Sequence, residues 1–261
     1  LLSQTPEGFG AALHQNAVTP LSQFVWAEKT GALHWTVSLL GEISEEILSP
    51  LLEGVPSLYL ERDRVEVDGV PLRPRTERTY LMLNKPRGYV TTLSDEKGRR
   101  TAASLVSGCG RRVWPVGRLD LDSEGLLLFT DDGELTHGLL HPSGEVEKEY
   151  LVWVAGDVDR ALPILTAPME LDGEPIAPAQ VRAGRRSEGV TQLSVVIHQG
   201  KNRQVRRMCA QAGLEVRRLK RVREGRVWLD RALRPGQWRP LTGEELRLLR
   251  EEAGIDPTGA N

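Results

Sequence analysis

The chain has 261 residues, of which 39% are hydrophobic and 27% charged, and a formal net charge of −2. This is ordinary for a soluble globular protein, and the length allows one large domain or two to three small ones. No apolar run reaches a membrane span, residues 1–25 lack the pattern of a signal peptide, and the two cysteines, Cys109 and Cys209, form no Cys-x-x-Cys, which argues against a zinc knuckle or a redox pair. A cytoplasmic protein with two reduced, separate thiols is expected.

Net charge conceals an asymmetry. From Arg182 to Arg239 there are 16 basic residues and four acidic ones, so this segment is +12 and the remainder −14. Fourteen of the 16 are arginine, whose guanidinium binds phosphate bidentately. The pattern points to a polyanion-binding surface, with a solvated charged face as the plainer alternative.

In chain order, residues 1–60 carry one basic residue, Lys29, and six acids. Within them Gly31 to Leu40 alternates as a strand, and Ser44 is placed to cap a short helix. Val65 to Val70 reads as a hairpin closing at Asp68-Gly69. Prolines and charges then suggest a linker, with a boundary near Thr79. Tyr80–Asn84 is a strand running into Lys85-Pro86-Arg87-Gly88, and Tyr89 to Leu93 continues extended. Arg112 to Val116 leads into Gly117-Arg118-Leu119-Asp120-Leu121-Asp122-Ser123-Glu124-Gly125. Leu126–Thr130, closed by Asp131-Asp132-Gly133, is a buried strand. Glu134–Leu140 is a short helix ended by His141-Pro142. Glu147–Val154 is a strand, Asp157–Thr166 a helix and Val190–His198 a strand. Lys201–Ala212 is a helix with Val205, Met208, Cys209 and Ala212 on its apolar face. Glu215–Val222 and Arg226–Leu229 are strands. Thr242–Glu252 is a helix with a Thr242/Glu245 capping box, and the tail after Gly254 is expected to fray. The irregular mixture favours α+β with a largely antiparallel sheet.

The acidic loop admits two readings. Asp120, Asp122, Glu124, Gly125 and Asp131 fall at positions 1, 3, 5, 6 and 12 of a calcium loop, but positions 7 to 11 read as a strand and no entering helix precedes them. Alternatively, one carboxylate acts chemically at a nucleic-acid site. Arg118 and Asp120, two apart in an extended loop, then share a face. His137 and His141 have the spacing of a zinc pair without a third ligand. Gly200-Lys201 lacks the rest of a phosphate loop, so no nucleotide cofactor is indicated.

Six motifs occur in order: Asn84-Lys85-Pro86-Arg87-Gly88; Gly117-Arg118-Leu119-Asp120 with Ser123-x-Gly125-Leu126-Leu127; Asp131-Asp132-Gly133; His141-Pro142; Lys148-x-Tyr150-Leu151-Val152; and Gly200-Lys201-Asn202-Arg203-Gln204-Val205-Arg206-Arg207-Met208. Together, over about residues 65–250, they resemble the ribosomal RsuA family of RNA pseudouridine synthases. The resemblance implies an α+β catalytic domain over residues 79–252, with a mixed, mostly antiparallel sheet, flanking helices and a central cleft. Residues 1–78 would form a small N-terminal region and 253–261 a tail. It implies that Asp120 is the catalytic aspartate, that Tyr150 packs on the target uracil, and that Arg206 pairs with the Asp120 carboxylate. It also implies that Arg118 fills the space of a flipped base or holds phosphate. Further RNA contact is expected from Lys85, Lys201, Arg203 and Arg207. It implies no metal or organic cofactor, no membrane partner, ribosomal RNA or a ribosome assembly intermediate as partner, and a monomer. The family commonly carries a basic N-terminal S4 domain, whereas residues 1–60 are acidic; they read as a degenerate or replaced version of it. A non-catalytic RNA-binding or ribosome-assembly protein is the rival class, and a metal-dependent nuclease using Asp120, Asp122 and Glu124 is a second.

Overall fold

The computed structural model describes residues 21–29, 32–39, 64–67, 70–72, 78–93, 95, 97–141 and 144–257. The chain divides into two compact units, residues 1–77 and 78–261.

The first unit contains β1 (Leu21–Lys29), β2 (Ala32–Leu39), β3 (Arg64–Val67) and β4 (Val70–Leu72), which form one sheet in that order. β2 is the alternating segment expected around Gly31 to Leu40. β3 and β4 pair antiparallel with Val67 opposite Val70, in the segment read as a hairpin. The helix expected from Ser44 lies outside the described residues.

The second unit contains β5 (Tyr80–Lys85), α1 (Ala102–Val106), β6 (Trp114–Pro115), β7 (Glu124–Thr130), α2 (Gly133–Leu140), β8 (Lys148–Ala155) and α3 (Val158–Thr166). The hairpin β9 (Met169–Leu171) and β10 (Glu174–Ile176) follows, then β11 (Gln180–Ser187), β12 (Val190–Ile197) and α4 (Gln204–Gln211). The unit ends with β13 (Glu215–Glu224), β14 (Val227–Trp228), β15 (Trp238–Pro240) and α5 (Gly243–Glu252). Nine strands make one sheet, in the order β11-β12-β8-β13-β7-β5-β15, with β14 on β13 and β6 on β7. Every pairing in it is antiparallel except β13 with β7. This is the α+β class expected.

β7 is apolar at consecutive positions because both of its faces are covered. Leu127 and Phe129 join Leu81, Leu83, Val152 and Val154 in the core under α1, α3 and α4. Leu126 and Leu128 join Met82 in a second core under α2 and α5. Burying a leucine side chain contributes about 2 kcal/mol, so a strand sandwiched in this way is an anchored support for the loop that precedes it.

The caps follow residue chemistry. Asp132 accepts from Leu135 N at 3.0 Å to start α2, and Thr242 and Glu245 form the expected capping box of α5. The tail expected to fray after Gly254 is tied back through its described part: Ile255 N donates to Arg250 O at 3.0 Å, and Arg250 Nε to Asp256 O at 2.6 Å. Helix α4 begins at Gln204, not Lys201, because Arg203 adopts a left-handed φ of 47° and the Gln204 amide oxygen accepts from Lys201 N at 3.1 Å.

Candidate active site

Residues 117–125 leave the sheet and return to it as β7. Gly117 and Gly125 bound this loop with φ of 71° and 106°, conformations that L side chains rarely adopt. Gly125 has a second constraint: a Cβ there would fall on the backbone carbonyl of Arg221, because β7 and β13 meet in parallel at this point. Leu119 is buried and anchors the loop from inside, so Arg118 and Asp120 on either side of it turn outward. Arg118 is exposed and Asp120 half-buried. Thr91 braces the same turn twice, its hydroxyl donating to Leu119 O at 2.7 Å and accepting from Leu119 N at 3.2 Å.

Below the loop lies Lys85, 0% exposed. Its ammonium donates to Ser123 O at 2.8 Å, Asp120 O at 3.0 Å and Pro86 O at 3.2 Å. One cation thus clasps both ends of the Asp120–Ser123 turn. Burial pulls its pKa down to about 8, partly offset by the carboxylates of Asp120, Asp122 and Glu124. Lys85 was expected to contact RNA; full burial and three carbonyl partners assign it to the loop's foundation. The rest of its motif does related work. Gly88 N donates to Leu121 O at 2.7 Å, and Asn84 Nδ2 to Leu233 O at 2.7 Å.

Helix α4 and the residue that precedes it, Arg203, supply the cations above. Arg203 holds Asp122 with two hydrogen bonds of 3.1 and 2.9 Å, and lies 3.6 Å from the Asp120 carboxylate. Arg206 donates to Asp122 O at 2.9 Å and stands 3.4 Å from the Asp122 carboxylate. The expected direct pairing of Arg206 with Asp120 is therefore not formed. Asp122, one turn position further along, intercepts both arginines, and Arg203 is the guanidinium that reaches Asp120. The Arg203 hydrogen bonds, with the nearby Arg206 charge, hold the Asp122 carboxyl below the usual range. Asp122 is hence an organising residue of the loop.

Tyr150 stands on β8 with 8% of its surface exposed, its ring among Val152, Leu193, Leu219 and the rest of the larger core. Burial raises its hydroxyl pKa, and the Asp120 carboxylate acts in the same direction as one of the neighbouring charges. Asp120, Tyr150, Arg203 and Arg206 are thus brought together where the interior strands β8, β13 and β7 run side by side. Lys201 and Arg207 sit further out, where Lys201 Nζ meets Glu174 at 2.7 Å and Arg207 meets Asp172 at 2.5 Å.

Acids also thin the basic segment. Within residues 182–239, only Arg182, Arg185, Lys220, Arg231 and Arg234 lack an ion pair among the described residues. Arg118 and Arg87, beside the loop, are exposed and also lack one among the described residues. Arg87 was not singled out from sequence; its place in Asn84–Gly88, turned up against the loop by Gly88, was the available signal. The calcium-like spacing dissolves because Leu126–Thr130 is strand β7. Among the described residues no cluster of three His, Cys, Asp or Glu is arranged to hold a metal. His137 and His141 lie ring to ring, with centroids 5.1 Å apart.

Comparison with known proteins agrees with this geometry. The family model for RNA pseudouridylate synthase matches residues 79–211. An uncharacterized RNA pseudouridine synthase of Aquifex aeolicus (strain VF5) is 40% identical over 197 residues, covering 75% of this chain and 78% of the relative. The ribosomal large subunit pseudouridine synthase B of Bacillus subtilis (strain 168) is 38% identical over 194 residues, covering 72% and 78% respectively. A crystal structure of a pseudouridylate synthase, 33% identical, superimposes with a TM-score of 0.58 over 69% of this chain and 76% of that one. The chain belongs to the RNA pseudouridylate synthase family and is an RNA pseudouridine synthase, an isomerase.

Proposed function

We propose that the chain isomerises a specific uridine of ribosomal RNA to pseudouridine, with Asp120 as the catalytic carboxylate. One observation carries this reading most: Asp120 is the half-buried acid at the outer edge of a loop whose main chain is fixed from below by Lys85, with Tyr150 and two α4 arginines close by. The similarity to the B. subtilis large-subunit enzyme supports a ribosomal substrate.

Pseudouridine formation breaks the N1–C1′ bond, rotates the uracil and joins C5 to C1′. Nothing is oxidised or reduced and no water is consumed overall. A carboxylate suits this chemistry, either by removing a sugar proton or by adding covalently and then leaving. The uridine leaves its stack at a cost of a few kcal/mol. Stacking on the exposed part of Tyr150 returns about 1–3 kcal/mol, and phosphate contacts from Arg118 and the α4 arginines add to that. Arg203, 3.6 Å from its carboxylate, gives Asp120 a cationic neighbour.

The test is Asp120→Asn incubated with ribosomal RNA fragments, with mass-labelled pseudouridine detection. Turnover is expected to fall by about 10³-fold or more while RNA affinity changes by no more than a few-fold. Normal turnover in this variant would sink the assignment. Shortened RNA, with activity lost to a chelator, would show a nuclease instead.

A further inference from the structure

The motif Lys148-x-Tyr150 on β8 has a matching motif on β13, Arg221-x-x-Glu224. In the antiparallel pairing Tyr150 lies opposite Arg221 and Lys148 opposite Glu224. The spacings differ by one residue because a bulge lies between Arg221 and Arg223. Cross-strand partners project from the same face, so the four side chains form one cluster. All four are buried: Glu224 0%, Arg221 2%, and Lys148 and Tyr150 8% exposed each.

Arg221 is the hub of that cluster. Its Nε donates to Leu126 O at 2.8 Å, one residue past Gly125 on the strand leaving the Asp120 loop. Its Nη2 lies 3.5 Å from the Glu224 carboxylate, whose other neighbouring cation, Lys148, is at 3.9 Å. Across the strand pair Arg221 lies opposite Tyr150, close enough for its charge to act on the Tyr150 hydroxyl. Its backbone carbonyl occupies the space that a Cβ at Gly125 would need. One side chain therefore touches the strand that carries Asp120 and the residue that faces the base.

A purely structural account of the cluster is weak. A buried ion pair is commonly replaceable by apolar side chains without loss of stability. Here the two Glu224 oxygens lack a hydrogen bond among the described residues, so the pair is not optimised as a stabilising one.

Building on the role given above to Asp120 and Tyr150, we propose that Arg221 is a positioning residue for the isomerisation: it sets Tyr150 relative to the Asp120 loop, with Glu224 holding its charge in place. It touches neither base nor sugar and acts through the Tyr150 hydroxyl and the Leu126 carbonyl.

The test uses the full chain with Arg221→Met/Glu224→Leu, which removes both partners of this ion pair together and leaves Lys148 its hydrogen bond to Val146 O. Folding, read by thermal unfolding, is expected to survive. KM is expected to stay within about threefold, and kcat to fall about 10- to 100-fold, the size of a sub-ångström to 1 Å misplacement. Tyr150→Phe supplies the readout that a merely structural role would not move. Added to the double variant, it should lower kcat no further, because both changes cut the same link. A double variant with kcat within about twofold of wild type, or losses that multiply, would overturn the proposal. Should the double variant not fold, Glu224→Gln carries the same test, with a smaller fall in kcat and the same non-additivity towards Tyr150→Phe. Activity in Asp120→Asn would defeat the functional reading itself. An inactive Asp120→Asn beside a fully active double variant would defeat only the role of Arg221.

Discussion

The Asp120 loop stands between two sets of cations that do opposite things. Lys85 and Arg221, below, are buried and spend their hydrogen bonds on main-chain carbonyls of the loop and its exit strand. Arg203 and Arg206, above, are more accessible; Arg203 spends its hydrogen bonds on the Asp122 carboxylate, and Arg206 donates to the Asp122 carbonyl with the carboxylate 3.4 Å away. The lower pair cannot leave without exposing buried carbonyls. Arg203 can exchange one anion, a carboxylate, for another, a phosphate. Burial and partner type thus separate rigid support from substrate-facing charge, although all four are simply basic residues in the sequence.

Gly125→Ala should break the lower half most severely. It combines a disfavoured φ with a collision against the Arg221 backbone, which neither strand can relieve alone. We expect a loss of about 3 kcal/mol or more in urea unfolding, and loss of isomerase activity with it.

Lys85→Met should cost about 1–3 kcal/mol by leaving loop carbonyls unpaired, and lower kcat more than it raises KM. It also has a pH signature. The folded pKa of about 8 lies below the ordinary lysine value of 10.5, so between these limits the unfolded chain binds the extra proton. Wild-type stability should therefore rise with pH across this window relative to Lys85→Met, and the difference should flatten below pH 8. Parallel urea titrations from pH 7 to 10.5 measure it; identical slopes would show that the buried amine does not titrate there.

Asp122→Asn should affect the upper half with little change in stability, since the pairs are partly exposed. It removes the negative charge that holds Arg203 and faces Arg206, so RNA should bind a few-fold tighter at low salt with a steeper salt dependence. A weaker, salt-insensitive complex would show that Asp122 serves only to shape the loop. At the far end of the scale, Arg186→Ala removes an exposed pair with Asp159 remote from either set, and Tm and kcat should not move measurably.

Periodicity was enough to find β7, β8 and α4 and the class of the fold, because each buries a continuous apolar face. It missed β9 and β10 although Asp172-Gly173, with φ of 57° and 77°, is a two-residue hairpin turn that an Asp-Gly pair announces. It missed β11, whose exposed, arginine-rich residues carry no apolar pattern at all. At the site, the ordered motifs and the family they resemble pointed to Asp120, Tyr150 and the arginines at the start of α4. They could not show that Arg206 meets Asp122, because a shift of one loop position decides the partner and spacing alone does not fix the loop's path. Nor could they separate buried Lys85 from exposed Arg87, two residues apart in a single motif.

Arg203 has a consequence of its own. It enters α4 with φ of 47°, a conformation that costs a non-glycine residue about 1 kcal/mol or more. Arg203→Gly would relax the backbone while deleting the guanidinium, and Arg203→Lys would keep the tension and a charge but lose the bidentate grip. Assayed together, the two divide this corner into what the main chain stores and what the side chain transmits. If the helix start works as a loaded latch, releasing the tension should alter how quickly the arginine changes partners even where its affinity for RNA can be restored by lowering the salt.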